Sequence, residues 1–360
     1  MGKKPLSFII VGSGWRAMFY VRIARAHEER FHLSCVLCRS EEKARRLREE
    51  GIGAAVSVRQ CEEARPDFVV VAVSKPSIFQ VTREWVLKGF PVLCETPAGM
   101  NLEELRQLWE LRERYGARVQ VAEQYIRYPI IAAGLKAIEE GKLGEPYSVY
   151  LSAAHDYHGA SLIRHMLKIK AEPVAVSGKQ YRFPVTETDS RYGPVTDGSV
   201  KERERTCVTL EFDSGKVAFY DFSGVQYHSY IRSRHINVQG RDGEWNDTIL
   251  RFADKEHEPI QEYVMPWLNP AHRELETDEL KETAGQWNPA LELNTAQDEY
   301  AIAVMMAGME DYLERGKEVY PLSEALEDAY LWLLMKKAAE NPGTKVKWEP
   351  QPWSKGGKEI

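Results

Sequence analysis

Ser7-Phe8-Ile9-Ile10-Val11-Gly12-Ser13-Gly14-Trp15-Arg16-Ala17 is the stretch from which the fold is read. An apolar, β-branched run stops at Gly-x-Gly-x-x-Ala, and apolar residues then resume at helical spacing. That is a strand entering a helix through a tight turn. Gly12 permits a turn that a Cβ would obstruct. Gly14 lets backbone approach a bound group closely, and Ala17 is small enough for the helix to pack near the sheet. Free N–H groups at the start of that helix suit the phosphates of a dinucleotide. Glycines also serve ordinary turns. Here the pattern follows a strand, opens a helix and lies near the start of the sequence, which favours the dinucleotide reading. Gly12, Ser13, Gly14, Trp15 and Arg16 are the first candidate cofactor contacts.

The chain has 360 residues, of which 43% are hydrophobic, so two domains with sizeable cores are expected. The formal net charge is −6, and no long basic block occurs, which argues against nucleic-acid binding. The densest charge run, 201–205, alternates in sign and reads as a solvated loop. The five cysteines include Cys35-Val36-Leu37-Cys38, but this spacing lies in a strand pattern and no second pair follows, so no metal site is expected. Reduced thiols in a cytoplasmic protein fit best. Met1-Gly2-Lys3-Lys4-Pro5 leads straight into the first strand, without a secretory leader. No apolar run approaches the roughly 20 residues that span a bilayer.

Strand and helix patterns alternate over the first third: strands near 6–11, 33–37, 54–58, 68–73, 91–94 and 118–122, with helices near 17–28, 41–50, 79–88 and 102–115 between them. Alternation of this kind predicts right-handed crossovers and a parallel sheet. The texture changes after about residue 123. A helix over 131–140 precedes strands near 147–153, 174–183, 206–212, 216–222, 231–239 and 248–252, with turn signals between several of them. Residues 184–203 and 253–293 read as irregular loops, and two helices near 296–315 and 322–339 finish the fold. The expected class is an α/β Rossmann dinucleotide-binding domain over 1–124, then an α+β domain over 125–360 with a mostly antiparallel open sheet. The second domain is expected to bind substrate and to mediate oligomerisation.

Cofactor choice is read at the end of the second strand, where Cys38-Arg39-Ser40 stands and no acidic residue precedes Glu41. A guanidinium and a hydroxyl suit a 2′-phosphate better than a bare diol, which tilts the reading to NADP over NAD. Arg39 equally suits a solvated loop. Ser74 and Pro76 follow the fourth strand, at the edge where ligands bind in such sheets; an ordinary X-Pro turn is the competing reading.

The run Val92-Leu93-Cys94-Glu95-Thr96-Pro97 resembles the strand-ending Glu-Lys-Pro motif of the glucose–fructose oxidoreductase, inositol dehydrogenase and MocA family. Gly12-Ser13-Gly14, Glu123-Gln124-Tyr125-Ile126-Arg127-Tyr128-Pro129 and Glu140-Gly141-Lys142-Leu143-Gly144 match the family's other signatures in order and spacing. The resemblance covers about the first 150 residues. It implies an NAD(P)-dependent oxidoreductase of sugars or polyols that assembles as a dimer or tetramer, with the nicotinamide near Glu95 and Thr96. Thr96 occupies the place where the family keeps a lysine near the reacting hydroxyl. The family's Asp and His, four residues apart on a second-domain helix, align with Arg164 and Lys168, which would share a helix face.

A base near the carbinol is still required. His158, His165 and Lys168 are the candidates, alongside Thr96 as a hydrogen-bonding group. Asp156, Arg164 and Tyr125 are candidate substrate contacts. The aromatic run 219–230 reads as sheet or subunit packing rather than sugar stacking. The function expected is hydride transfer between NAD(P) and a carbohydrate-like carbinol or ketone, with no nucleic acid and no membrane involved. A redox-neutral enzyme that cleaves or epimerises glycosides is a rival that the missing lysine permits, as is a non-enzymatic dinucleotide-binding regulator.

Overall fold

The computed structural model describes residues 4–190, 192–265 and 297–354. They form two compact units, one of residues 4–128 and 297–329, the other of residues 129–265 and 330–354.

The first unit runs β1 (Leu6–Val11), α1 (Ala17–Ala26), β2 (Phe31–Leu37), α2 (Glu41–Glu49), β3 (Ala54–Ala55), α3 (Val58–Glu63), β4 (Phe68–Val71), α4 (Ile78–Leu87), β5 (Val92–Cys94), α5 (Leu102–Tyr115) and β6 (Val119–Val121). All six strands are parallel, in the order β3-β2-β1-β4-β5-β6. Strand order therefore reverses between β1 and β4, the point at which such sheets open a ligand crevice. β4 is buried throughout, as a parallel strand covered on both faces must be. Local chemistry sets the helix limits: the Asn101 side chain caps α5 by accepting from the Glu104 N–H, and Gly116 ends it in a left-handed conformation.

The second unit runs α6 (Pro129–Glu139), β7 (Pro146–Ser152), α7 (Asp156–Met166), β8 (Val174–Thr186), β9 (Asp189–Ser190), β10 (Gly193–Pro194), β11 (Val200–Phe212), β12 (Val217–Phe222), β13 (His235–Gly240), β14 (Gly243–Asn246), β15 (Ile249–Ala253), β16 (Pro259–Tyr263) and β17 (Val346–Lys347). Nine strands form one sheet in the order β16-β15-β14-β13-β7-β12-β11-β8-β17, and β9 pairs with β10 apart from it. Every pair in the large sheet is antiparallel except β7 with β12. The fully buried Trp245 seats α6 on this sheet: a Cβ at Gly134 would lie 2.4 Å from its ring. Two helices follow, α8 (Gln297–Arg315) and α9 (Leu322–Glu340). Ile302, Met306 and Met309 of α8 enter the same core as Phe8, Tyr20 and Val70. Residues 297–329 thus pack with the first unit, although they follow the 124/125 boundary in sequence.

Four sequence expectations are corrected. The strand expected over 54–58 is only Ala54–Ala55, and the short α3 follows; its single buried residue, Cys61, left no apolar period to read. The loop expected over 184–203 is strand at its two ends, 184–186 in β8 and 200–203 in β11, which pair as a ribbon, and it carries the short β9–β10 pair between them. Both faces of that ribbon are exposed, so hydrophobic alternation is missing. The 201–205 charge run is strand within it, with Lys201 and Arg203 pairing with Glu187 and Arg205 with Asp221. The strand expected from 231 begins at His235. The loop over 253–293 contains β16, and its remainder beyond 265 lies outside the described residues.

Candidate active site

In the first unit the site grows from the end of β1. Gly12 has φ +113°, and a Cβ there would lie 2.3 Å from the Ala72 carbonyl oxygen, so only glycine fits. Gly14 faces open space: a Cβ on it would meet nothing within 4 Å. The first turn of α1 carries no acidic side chain, and no side chain caps it. The Met18 and Phe19 N–H groups turn back to the Trp15 and Arg16 carbonyls, and the positive end of the helix is left for an anion. An open cradle beside an uncapped helix end, at the switch point of a parallel sheet, fits a dinucleotide pyrophosphate. Trp15 packs edge-on to Phe19, and the Arg16 guanidinium lies over both rings.

Arg16 turns toward the end of β5. Its Nε lies 3.7 Å from Glu95 Oε1, which also accepts the Tyr20 hydroxyl proton at 2.7 Å. Burial alone would lower the Arg16 pKa, but Glu95, aided by Tyr20, Asp298 and Tyr128, more than offsets this and holds it above its ordinary value. At Glu95, only 6% exposed, burial outweighs the attraction of Arg16 and raises the carboxyl above the usual range. One ion pair therefore favours charge on the guanidinium and disfavours it on the carboxyl. Half-buried Thr96 follows directly.

The end of β6 leads into the Glu123–Pro129 segment. Glu123 is buried and accepts the Tyr125 N–H at 3.0 Å. Gln124 is 1% exposed, and neither end of its amide has a hydrogen-bond partner among the described residues. Tyr125 is buried edge-on to Tyr128, whose hydroxyl bonds Asp298. Ser74 and Pro76 are exposed beyond β4, where the Ser74 and Ser77 hydroxyls lie 3.4 Å apart. Arg39 and Ser40 are exposed after β2. The Ser40 side chain caps α2 by accepting from the Lys43 N–H, which is a structural use of that hydroxyl.

In the second unit the candidates divide. At the start of α7, His155 Nδ1 lies 2.6 Å from the Tyr227 hydroxyl, which also accepts the His155 backbone N–H at 2.9 Å. His155 Nε2 is 3.4 Å from the Tyr157 hydroxyl, and the buried His158 ring lies 4.9 Å from His155 and 4.4 Å from Tyr157. Two histidines and two phenols thus form one cluster. Asp156, with φ +49°, donates its backbone N–H to Tyr220. His155 and Tyr227 could have been found from sequence only by pairing residues 72 apart.

The other candidates stand elsewhere. His165 Nδ1 is 2.8 Å from the Ser161 carbonyl, one helical turn back, so that nitrogen carries a proton. Arg164 is buried and donates through Nε and Nη2 to the Lys170 carbonyl, closing the end of α7. Lys168 is exposed, with φ +56°, beyond the last helical residue, Met166. The expected shared helix face of Arg164 and Lys168 does not form, because α7 ends before Lys168. Among the described residues, no group of three or more His, Cys, Asp or Glu side chains could hold a metal, and no helix is long and apolar enough to cross a membrane.

Comparison with known proteins agrees with this architecture. An oxidoreductase from Agrobacterium radiobacter, solved with NAD+, L-tartaric acid and magnesium, superposes with a TM-score of 0.69 at 14% identity, covering 95% of this chain and 98% of that one. The WlbA dehydrogenase of Chromobacterium violaceum, solved with NADH and UDP-GlcNAcA, gives 0.66 at 16% identity over 98% of each chain. An oxidoreductase from Pseudomonas syringae gives 0.65 at 19% identity, covering 96% of this chain and 99% of that one. At these identities the likeness is one of fold. No curated protein matches the sequence. Residues 6–123 match the family model described as the Gfo/Idh/MocA oxidoreductase family with an NAD-binding Rossmann fold, so the first domain is of that type.

Proposed function

We propose that the protein transfers hydride between a nicotinamide dinucleotide and a sugar, glycoside or polyol-like carbinol or its ketone. The observation that carries this is the open Gly14 turn beneath the uncapped start of α1, within a domain of an NAD-binding oxidoreductase family. When bound, the nicotinamide accepts or returns the hydride. The backbone of Gly12–Ala17 holds the pyrophosphate. Glu95 and Thr96 orient the nicotinamide end. Arg39 and Ser40 favour a 2′-phosphate, hence NADP, and Ser74 and Pro76 line the same edge. Carbinol oxidation releases a proton, which needs a group able to take it near neutral pH. The His155–His158 cluster is one candidate for this role, and His165, whose Nδ1–H donates to Ser161 in the tautomer that makes Nε2 the basic nitrogen, is the other; Lys168 is exposed. Tyr125, Asp156 and Arg164 remain the proposed substrate-side groups.

The solved relatives with tartaric acid and with a UDP-sugar acid have polyhydroxylated ligands, which supports a carbohydrate-like substrate here. Exposed Tyr147, Tyr181, Phe183 and Phe219 on the large sheet support assembly into a dimer or tetramer. Thr96 in the lysine position favours one second reading, a redox-neutral enzyme that oxidises a sugar carbon transiently and returns the hydride. A test separates these readings. Purified protein is assayed for bound nicotinamide, then incubated with NAD+ or NADP+ and a panel of polyols, sugar acids and glycosides. Steady cofactor reduction supports the dehydrogenase. Product without net cofactor change supports the redox-neutral enzyme. Binding without turnover refutes both and leaves a regulator.

A further inference from the structure

The Cys35-x-x-Cys38 spacing suggests a pair, but the structure pairs Cys35 differently. Cys35 on β2 and Cys61 on α3 hold their sulfurs 3.0 Å apart, and both are free thiols. This is closer than two sulfurs approach in simple packing, and one thiol donates to the other. Cys38 lies an odd number of positions from Cys35, so its side chain leaves β2 on the other face; its sulfur is 3.8 Å from the Val36 carbonyl. Cys35 is half-buried, within reach of a small oxidant, whereas Cys61 is fully buried behind it.

We infer that Cys35 and Cys61 are a peroxide-reactive dithiol that closes to a disulfide joining β2 to α3. The Cys35 thiolate attacks one peroxide oxygen. An S–O bond forms, the O–O bond breaks, and the leaving oxygen departs as water after taking a proton. The Cys61 sulfur then attacks the Cys35 sulfenic acid. The S–S bond forms, the S–O bond breaks, and the hydroxyl leaves with the Cys61 proton as a second water. Two thiols lose two electrons, and one hydrogen peroxide is reduced to two waters. The order of attack follows from the surroundings. The hydrogen bond from Cys61 holds the Cys35 thiol below its ordinary value, while Cys61 is pushed up by its contact with Cys35. The remaining described thiols are poorer nucleophiles: burial pushes Cys94 up to about 12 and Cys207 up to about 11. The crosslink would tie together the two elements flanking β3, and β2 leads directly into Arg39 and Ser40.

The test treats the folded full-length protein with hydrogen peroxide, blocks free thiols and maps tryptic peptides. The expected product joins peptide 31–39 to peptide 60–83, since trypsin does not cut before Pro66 or Pro76, in wild type and in Cys38→Ser alike, and it disappears on reduction. In Cys61→Ser, Cys35 should stop as a sulfenic acid that dimedone captures. Before oxidation, Cys35 should alkylate about tenfold faster than Cys207. One wild-type result overturns the proposal: peptides 31–39 and 60–83 unlinked after peroxide, with Cys35 still reduced or taken to sulfinic acid. A link lost in Cys38→Ser overturns it equally, because the bond would then run through Cys38.

Discussion

The two turn glycines should separate fold from function. In Gly12→Ala the added methyl meets the Ala72 carbonyl oxygen at 2.3 Å and its carbon at 2.9 Å, both backbone atoms that cannot rotate away. The residue must also hold φ +113°. Left-handed strain of roughly 1–2 kcal/mol and overpacking of roughly 1–3 kcal/mol give a loss of about 3 kcal/mol. That is a large part of the 5–15 kcal/mol by which domains typically exceed their unfolded states. In Gly14→Ala the methyl meets nothing within 4 Å, and the backbone lies outside the left-handed region. Stability should hold, or rise by about 0.5 kcal/mol as the unfolded chain loses freedom. The methyl does enter the space assigned to the pyrophosphate, and a tenfold or greater rise in Kd corresponds to about 1.4 kcal/mol. Urea unfolding followed by tryptophan fluorescence gives the first quantity, and calorimetric titration with NAD+ and NADP+ gives the second. A Gly14→Ala protein that is as stable as wild type and binds both dinucleotides as tightly would refute the assignment of the turn.

Four further outcomes follow from the same geometry. Glu95 has its folded pKa raised by burial, so its contribution to stability is full below the unfolded value near 4.5 and is lost as pH rises through the folded value. Glu95→Gln should therefore match wild type in acid and become relatively more stable toward neutral pH; a relative loss toward neutrality would mean that attraction to Arg16 outweighs burial. Gln124→Leu should stabilise the protein by about 1 kcal/mol, since it removes a buried amide without partners, and should lower turnover; destabilisation in urea would contradict the first half. Tyr227→Phe removes the hydroxyl on His155 and should lower kcat about tenfold or more, with a small change in KM and a displaced pH–rate limb; an unmoved profile would exclude the cluster from proton transfer. Thr96→Lys adds a cation directly after a carboxylate already engaged by Arg16 and Tyr20, so activity should fall, whereas a rise would mark Thr96 as a degraded lysine position.

Legibility in the sequence followed the range of the interactions. The bounds of β1 and α5 were readable to the residue because each carries its own signal: an uninterrupted apolar strand ending at Gly12, and an Asn101 cap with a terminal Gly116. The parallel sheet followed from alternation of such local units. The strands near 174–183 and 206–212 were readable, but their extensions over 184–186 and 200–205 were not, since these ends are mostly exposed and carry charge rather than a buried alternating face. The site was split in the same way. Its glycines were visible because a turn constrains its own residues. The Arg16–Glu95 pair, the Tyr227–His155 bond and the Cys35–Cys61 contact join residues far apart in sequence and leave no periodic trace.

The placement of Arg16 bears on what Thr96 can mean. A lysine in the Glu-Lys-Pro position supplies a cation that can also lose its proton. Here the cation beside Glu95 is a guanidinium, which can stabilise negative charge but does not exchange protons near neutrality. Arg16 therefore replaces at most the electrostatic half of what the lysine does. Thr96 cannot supply the other half, because its hydroxyl neither ionises nor carries charge at working pH. Glu95 is held by Tyr20 and Arg16, and burial raises its carboxyl above the usual range. Of the candidates in the second unit, Arg164 is spent on the Lys170 carbonyl, and His165 holds its Nδ1 proton against the Ser161 carbonyl. On the proposed reading, Arg16 supplies a fixed positive charge beside Glu95, and the proposed proton-exchanging groups, His155 and His158, are clustered at the start of α7.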